Sequence, residues 1–183
     1  GYTIANALNI TGTGISSGGA LTSASGVSGT ASGLVTLSGA SSIGEAASQT
    51  ITLSGGLAGT FGLTINGGAS QTGTVIISNS TNGTTTTTIT RGVLQIGAGS
   101  TTGALGTGDV TNNASLVIDL SGTPSISNKI TGTGSVTQSL GSLTLTSTAS
   151  TYSGGTTVLS GSTLIAGAST TGTVTSGPFG TGT

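Results

Sequence analysis

Ile51 and Leu53, Leu63 and Ile65, Val75 and Ile77, and Leu94 and Ile96 are aliphatic pairs split by one residue, and Ser, Asn or Gly directly follows each pair. Ile4, Leu8 and Ile10, Val35 and Leu37, Leu116, Ile118 and Leu120, Leu143 and Leu145, and Val158 continue the pattern. A period of two places these side chains on one face of a β-strand, and the turn-forming residues stop each strand after a few positions. No segment carries a period of 3.6, so the expectation is an all-β chain with little or no helix.

Self-similarity narrows the choice among β folds. "ITGTG" stands at Ile10 to Gly14 and again at Ile130 to Gly134, 120 residues on. "GALGTGDV" (103 to 110) parallels "GPFGTGT" (177 to 183), with Gly106 and Gly180 lying 74 residues apart. Residues 73 to 97 align with residues 141 to 167 as strand, polar turn, Thr-rich strand, turn and strand. These unequal offsets describe a degenerate array, which suits a solenoid whose corners absorb insertions while its strands stay stacked. A β-sandwich or closed barrel is the alternative. The two Tyr and two Phe favour a thin core of Val, Ile, Leu and Ala, and hence a parallel β-helix built as a single rod over residues 1–183. With coils of roughly 20 residues and strands about 4.8 Å apart, the chain would make about nine coils and a rod roughly 43 Å long.

Composition removes several classes of function. Only 3% of residues are charged, namely Arg91, Lys129, Glu45, Asp109 and Asp119, for a formal net charge of -1. Such a surface cannot neutralise a row of phosphates or steer a charged ligand, so nucleic acid and anionic membrane are poor partners. Weak repulsion between copies instead favours self-association. There is no Cys for a disulfide or thiolate metal site, and no apolar run reaches the roughly 20 residues that a membrane helix takes. Disorder, the usual fate of Gly/Ser/Thr-rich segments, is opposed by a hydrophobic fraction of 32% and a mean hydropathy of +0.35.

The stretch "LTLTSTASTYSGGTTVLSGSTLIAG" followed by "GPFGTGT" resembles the autotransporter-associated β-strand repeat. That repeat runs from a Leu-Thr-Leu strand through a Tyr-Ser/Thr-Gly-Gly-Thr-Thr turn and strand and a Gly-Thr-Leu strand to a final Gly-x-Leu/Phe-Gly-Thr-Gly. The matching positions are Tyr152, Gly154, Gly155, Thr156, Thr157 and Val158, then Gly180 and Gly182. A second copy ending at Gly106 and Gly108 keeps the close of the pattern and lacks the Tyr-Ser-Gly-Gly turn. Together the copies cover roughly half of the chain. The resemblance implies a right-handed parallel β-helix in a large bacterial surface or secreted protein, structural or adhesive in role. In that reading Tyr152 with Gly154 and Gly155 makes a turn, while Val158 and either Leu164 or Ile165 point inward.

Chemistry is sparse. "GISSG" at 14 to 18 matches a Gly-x-Ser-x-Gly nucleophile pattern around Ser16, but the chain has no His to act as its base. Asp109 and Asp119 are ten residues apart, about half a coil, too far round to stack as the paired acids of a glycosidase. "GTGDV" contains a single acidic residue, too few for calcium. "TTTTT" at 84 to 88 raises ice binding, which needs threonines in register over many coils, whereas the unequal repeats are expected to shift them. Asn9, Asn79, Asn82 and Asn113 begin Asn-x-Ser/Thr sequons.

The reading that follows is a non-enzymatic, cofactor-free and metal-free extracellular solenoid at a bacterial surface. It would serve as a stiff stalk, sheath or head-to-tail filament, either as a segment of a longer repeat array or as a filament subunit. The first alternative is an adhesin that binds cell-surface glycan or receptor through an aromatic groove, for which Tyr2 and Tyr152 are the only tyrosines. Functional amyloid and an ice-binding solenoid are lesser alternatives. The partner expected first is a second copy of the chain, through open ends that stack.

Overall fold

The computed structural model describes residues 1–168 and 176–182. The chain is a parallel β-solenoid whose strands stack along three faces. The first face holds eight strands, Tyr2–Ile4, Gly29–Ala31, Thr50–Leu53, Thr74–Ile77, Val93–Ile96, Ser115–Asp119, Ser135–Leu140 and Thr156–Val158. The second holds Leu8–Gly12, Val35–Ile43, Gly62–Ile65, Thr86–Ile89, Val110–Asn112 and Ile130–Thr131, with the short Leu57–Ala58 strand against the first half of Val35–Ile43. The third is confined to the C-terminal coils and holds Ser125–Ile126, Ser142–Leu145 and Thr163–Ala166. The one helical element among the described residues is a single 3-10 turn, Ile15–Ser17.

The alternation in the sequence becomes columns in the rod. Ile4, Ala31, Leu53, Ile77, Ile96, Ile118, Gln138 and Val158 stand opposite one another in successive first-face strands. All from Ala31 to Gln138 are buried. Burying one such aliphatic side chain contributes about 1.5–3 kcal/mol, and no coil can bury its own inward row without the next. Gln138 interrupts the column next to a β-bulge after Ile118, and its amide donates to Leu140 O and Gly141 O of the strand's end.

Three expectations need correction. Among the described residues eight rungs stack on the longest face, against the about nine expected, because the steps between paired residues run from 19 residues (Thr74 to Val93) to 27 (Tyr2 to Gly29). The alignment of residues 73 to 97 with 141 to 167 also does not match faces. Thr74–Ile77 and Val93–Ile96 lie on the first face, whereas Ser142–Leu145 and Thr163–Ala166 lie on the third. Any two half-buried strands share the same alternation, so similarity alone does not say which side of the prism a strand occupies. Finally, Val158 belongs to the inward column but is 43% exposed, because its strand ends the face and no further described rung covers it. Of the two alternatives downstream, Leu164 is the inward residue, opposite buried Leu143, and Ile165 stands opposite the outward-facing Thr144.

Candidate functional site

The residues of the repeat motif meet in one stack. Tyr152 is fully buried, and Thr151 N–H and Ser153 N–H donate to Ile130 O and Gly132 O of the preceding coil, extending the second face. Its role is therefore that of a core side chain and not of an exposed turn residue. The corner lies just beyond it, where Gly155 has a φ of +79°. Tyr152 Oη is 2.7 Å from Thr156 Oγ1 on the next strand, so the phenol ties that corner together. Burial raises the phenol's pKa above its ordinary value of 10.0, with the Thr156 bond acting the other way.

The Gly-Thr-Gly segments lie on such coils as lids. Thr181 N–H donates to Tyr152 O at 2.9 Å, and Thr107 N–H donates to Thr84 O at 2.8 Å. In both segments the two glycines pass so close to the coil beneath that a β-carbon would overlap it. Gly180 lies against Tyr152 and Gly182 against Gly155, as Gly106 lies against Thr84 and Gly108 against Thr85. The coil above then reads the segment, since Asn128 Nδ2 donates to Gly106 O and Gly108 O. Thr157 is the outward residue of its strand, opposite Thr137. Gly154 packs against Gly134. Thr183, the last residue of the second Gly-Thr-Gly-Thr, lies outside the described residues.

Buried polar side chains that the sequence did not single out hold the corners between the second and first faces. Asn66 donates to Gly73 O and Arg91 O and accepts Glu45 N–H, linking three coils. Asn112 donates to Ser135 O and accepts Ala114 N–H. Glu45 is fully buried, and its carboxylate accepts from Ser23 N–H at 2.6 Å and from Ser23 Oγ. A turn former followed by the next strand was the only sequence signal for Asn66 and Asn112, and Glu45 carried none.

Threonines do line up, against expectation. Ser42, Thr64, Thr88, Thr111 and Thr131 stand opposite one another along the second face. Thr3, Thr30 and Thr52 do so on the first. Corner insertions absorb the unequal offsets, so the register survives them. The row beside the longer ladder is mixed, because Thr86 is followed by Asp109 and Lys129, whose charged atoms are 3.9 Å apart and exposed.

The remaining candidate groups stay apart. Asp119 meets Gln95 Nε2 at 3.3 Å, and no cluster of three His, Cys, Asp or Glu occurs among the described residues. Ser16 sits on an exposed turn with a φ of +51°. Asn79 and Asn82 spend their amides on Ser54 O and Ala104 O, whereas Asn9 and Asn113 are exposed. Tyr152 cannot line a glycan groove because it is buried. Tyr2 borders an open depression of about 320 Å³ with Thr3, Ser28, Thr30, Thr50 and Thr52.

The chain matches no family model, no curated protein and no solved structure. Its functional reading therefore stands on its own geometry. No helix among the described residues is long and apolar enough to cross a membrane.

Proposed function

We propose that this solenoid is an extracellular structural element of a bacterial surface, a stiff stalk, sheath or filament segment whose rungs continue head to tail. The observation that carries the reading is the last described rung. Thr156–Val158 and Thr163–Ala166 are edge strands of their faces, and Val158, Leu159, Ile165 and Phe179 are each more than a third exposed there. Among the described residues no strand lies against that edge; an apolar strand edge favours pairing with another strand, and a further rung of the same kind is complementary to it in both hydrogen bonds and side chains. The autotransporter-associated pattern around Tyr152 and Gly180 supports the extracellular setting. This reading assigns no residue a catalytic role and requires no cofactor.

Cryo-electron microscopy of the purified native material tests it. Continuous filaments with an axial repeat of one chain are expected. Short rods with covered ends would overturn the head-to-tail arrangement and shift the reading to a monomeric stalk. Glycan adhesion is the second reading, favoured by the hydroxyl-lined depression beside Tyr2. Its check is a glycan-binding screen, repeated on Thr30→Val, which should weaken any true hit.

A further inference from the structure

The longest step of the solenoid contains an insertion that the rod itself does not require. Between Gly12 and Leu21 the chain leaves the second face and closes a tight loop, with Gly19 N–H donating to Thr13 O and Gly18 N–H to Ile15 O, both at 2.8 Å. Ser16 and Ser17 take φ values of +51° and +60°, which side chains with a β-carbon disfavour. Three side chains of the body hold the insertion in place. Gln71 Nε2 donates to Gly18 O, Glu45 accepts from Ser23, and Tyr2 Oη accepts Ala24 N–H at 3.2 Å. At the tip stands Ile15, 92% exposed. Strain of this kind persists only where the surroundings enforce it, and it gathers at binding sites. Here it presents one aliphatic side chain to solvent on a rigid mount.

A receptor for such a knob lies further along the same rod. Ser125–Ile126 is the first strand of the third face, and the preceding coil lays no strand against it. The gap is a cavity of about 260 Å³ floored by Ile96, Leu105, Leu120 and Ile126 and rimmed by Ser125 and Asn128. No charged side chain lines it.

We infer that Ile15 of one copy seats in this cavity of a second copy. The occupant follows from the chemistry on both sides: an uncharged aliphatic knob flanked by Ser16 and Ser17, and an uncharged aliphatic hole with a polar rim. A net charge of -1 on each copy does not keep the rods apart. Knob and hole occupy different corners. The loop leans on Gly44 and Gln71 between the second and first faces, whereas the hole follows the first-face strands Val93–Ile96 and Ser115–Asp119. With the rods parallel, a contact between two different places on the molecule is heterologous and propagates from rod to rod. The knob follows the first strand of the first face and the hole lies between the fifth and sixth, which staggers neighbouring rods by roughly 20 Å at about 4.8 Å per rung. One aliphatic knob makes a weak contact, and repetition along a rod supplies the avidity. The inference deepens the structural reading by naming its lateral partner, and it rests on that reading.

The experiment compares wild type, Ile15→Ser and Ala104→Trp, the last filling the hole that Ala104 helps to line, by cryo-electron microscopy and sedimentation velocity of the full chain. Wild-type rods are expected to pair side by side with a stagger of roughly 20 Å, and both variants should lose the pairing. The melting temperature of Ile15→Ser should equal that of wild type, which separates lost contact from lost folding. Pairing that survives both variants overturns the inference, as do wild-type filaments that run singly, and the latter leave the head-to-tail reading standing. If wild type forms only short rods, head-to-tail stacking fails, and a concentration-dependent dimer lost in Ile15→Ser still supports the knob, whereas its absence overturns it.

Discussion

A β-carbon added to Gly180 would stand 2.9 Å from Cγ of Tyr152, on a backbone whose φ is +69°. The two ends of the Tyr-Ser-Gly-Gly to Gly-Thr-Gly pattern are thus one packing unit, with the ring of one coil lying under the bare backbone of the next. Gly161 has a similar φ of +83° and open space around it. Gly161→Ala should cost about 1–2 kcal/mol for the left-handed conformation alone. Gly180→Ala should cost measurably more, because its β-carbon would also meet the Tyr152 carbonyl and ring, and equal losses in chemical denaturation would show that this close approach is unimportant.

The buried phenol makes stability depend on alkaline pH. Because Tyr152 has a folded-state pKa above its unfolded value of 10.0, its contribution is intact below about pH 10 and declines as pH rises toward the folded value. Tyr152→Phe should therefore flatten that part of the pH–stability curve while costing about 1 kcal/mol at neutral pH through the lost Thr156 bond. Thermal melts at several alkaline pH values check both effects, and an unchanged alkaline slope would assign it to other groups.

Position along an inward column decides the cost of a charge. Val136→Asp places a carboxylate at a fully buried site beside fully buried Leu116 and should prevent folding or lower the melting temperature steeply. Val158→Asp, at a 43% exposed site on the last described rung, should fold with a small loss. In filaments the ranking changes, because the Val158 variant should then block end stacking. Electron microscopy beside the melts reads both outcomes.

Asn66 should tolerate no acid. Its one amide nitrogen donates to both Gly73 O and Arg91 O, so Asn66→Asp replaces that double donor with an oxygen facing two carbonyls. The loss should reach about 3 kcal/mol or more. Hydrogen exchange should show it first at the corner amides, Glu45 N–H among them.

Glu45→Gln should act on the insertion more than on the rod. A glutamine keeps one acceptor oxygen but turns an amine toward one of the two Ser23 donors that the carboxylate now satisfies. Faster proteolysis within residues 13–28, with little change in global melting, is the expected result. An unaltered cleavage pattern would mean that Gln71 and Tyr2 hold the insertion unaided.

The sequence by itself determined the strands, their inward rows and the absence of long helices, because a period of two and a turn residue after each pair are local properties of the chain. It also pointed to Tyr152 and Gly180 as parts of one repeat and to Gly106 as part of a second copy, although not to the contact that joins Tyr152 and Gly180. Tertiary structure alone decided which face each strand joins, since every half-buried strand carries the same alternation, and so it broke the apparent equivalence of residues 73 to 97 with 141 to 167. It also decided that Thr64, Thr88, Thr111 and Thr131 form one ladder despite unequal spacing, because corners take up length while the backbone ladder sets register. Only stacking could bury Asn66, Asn112 and Glu45, as each takes a partner on a neighbouring coil more than 20 residues away in sequence.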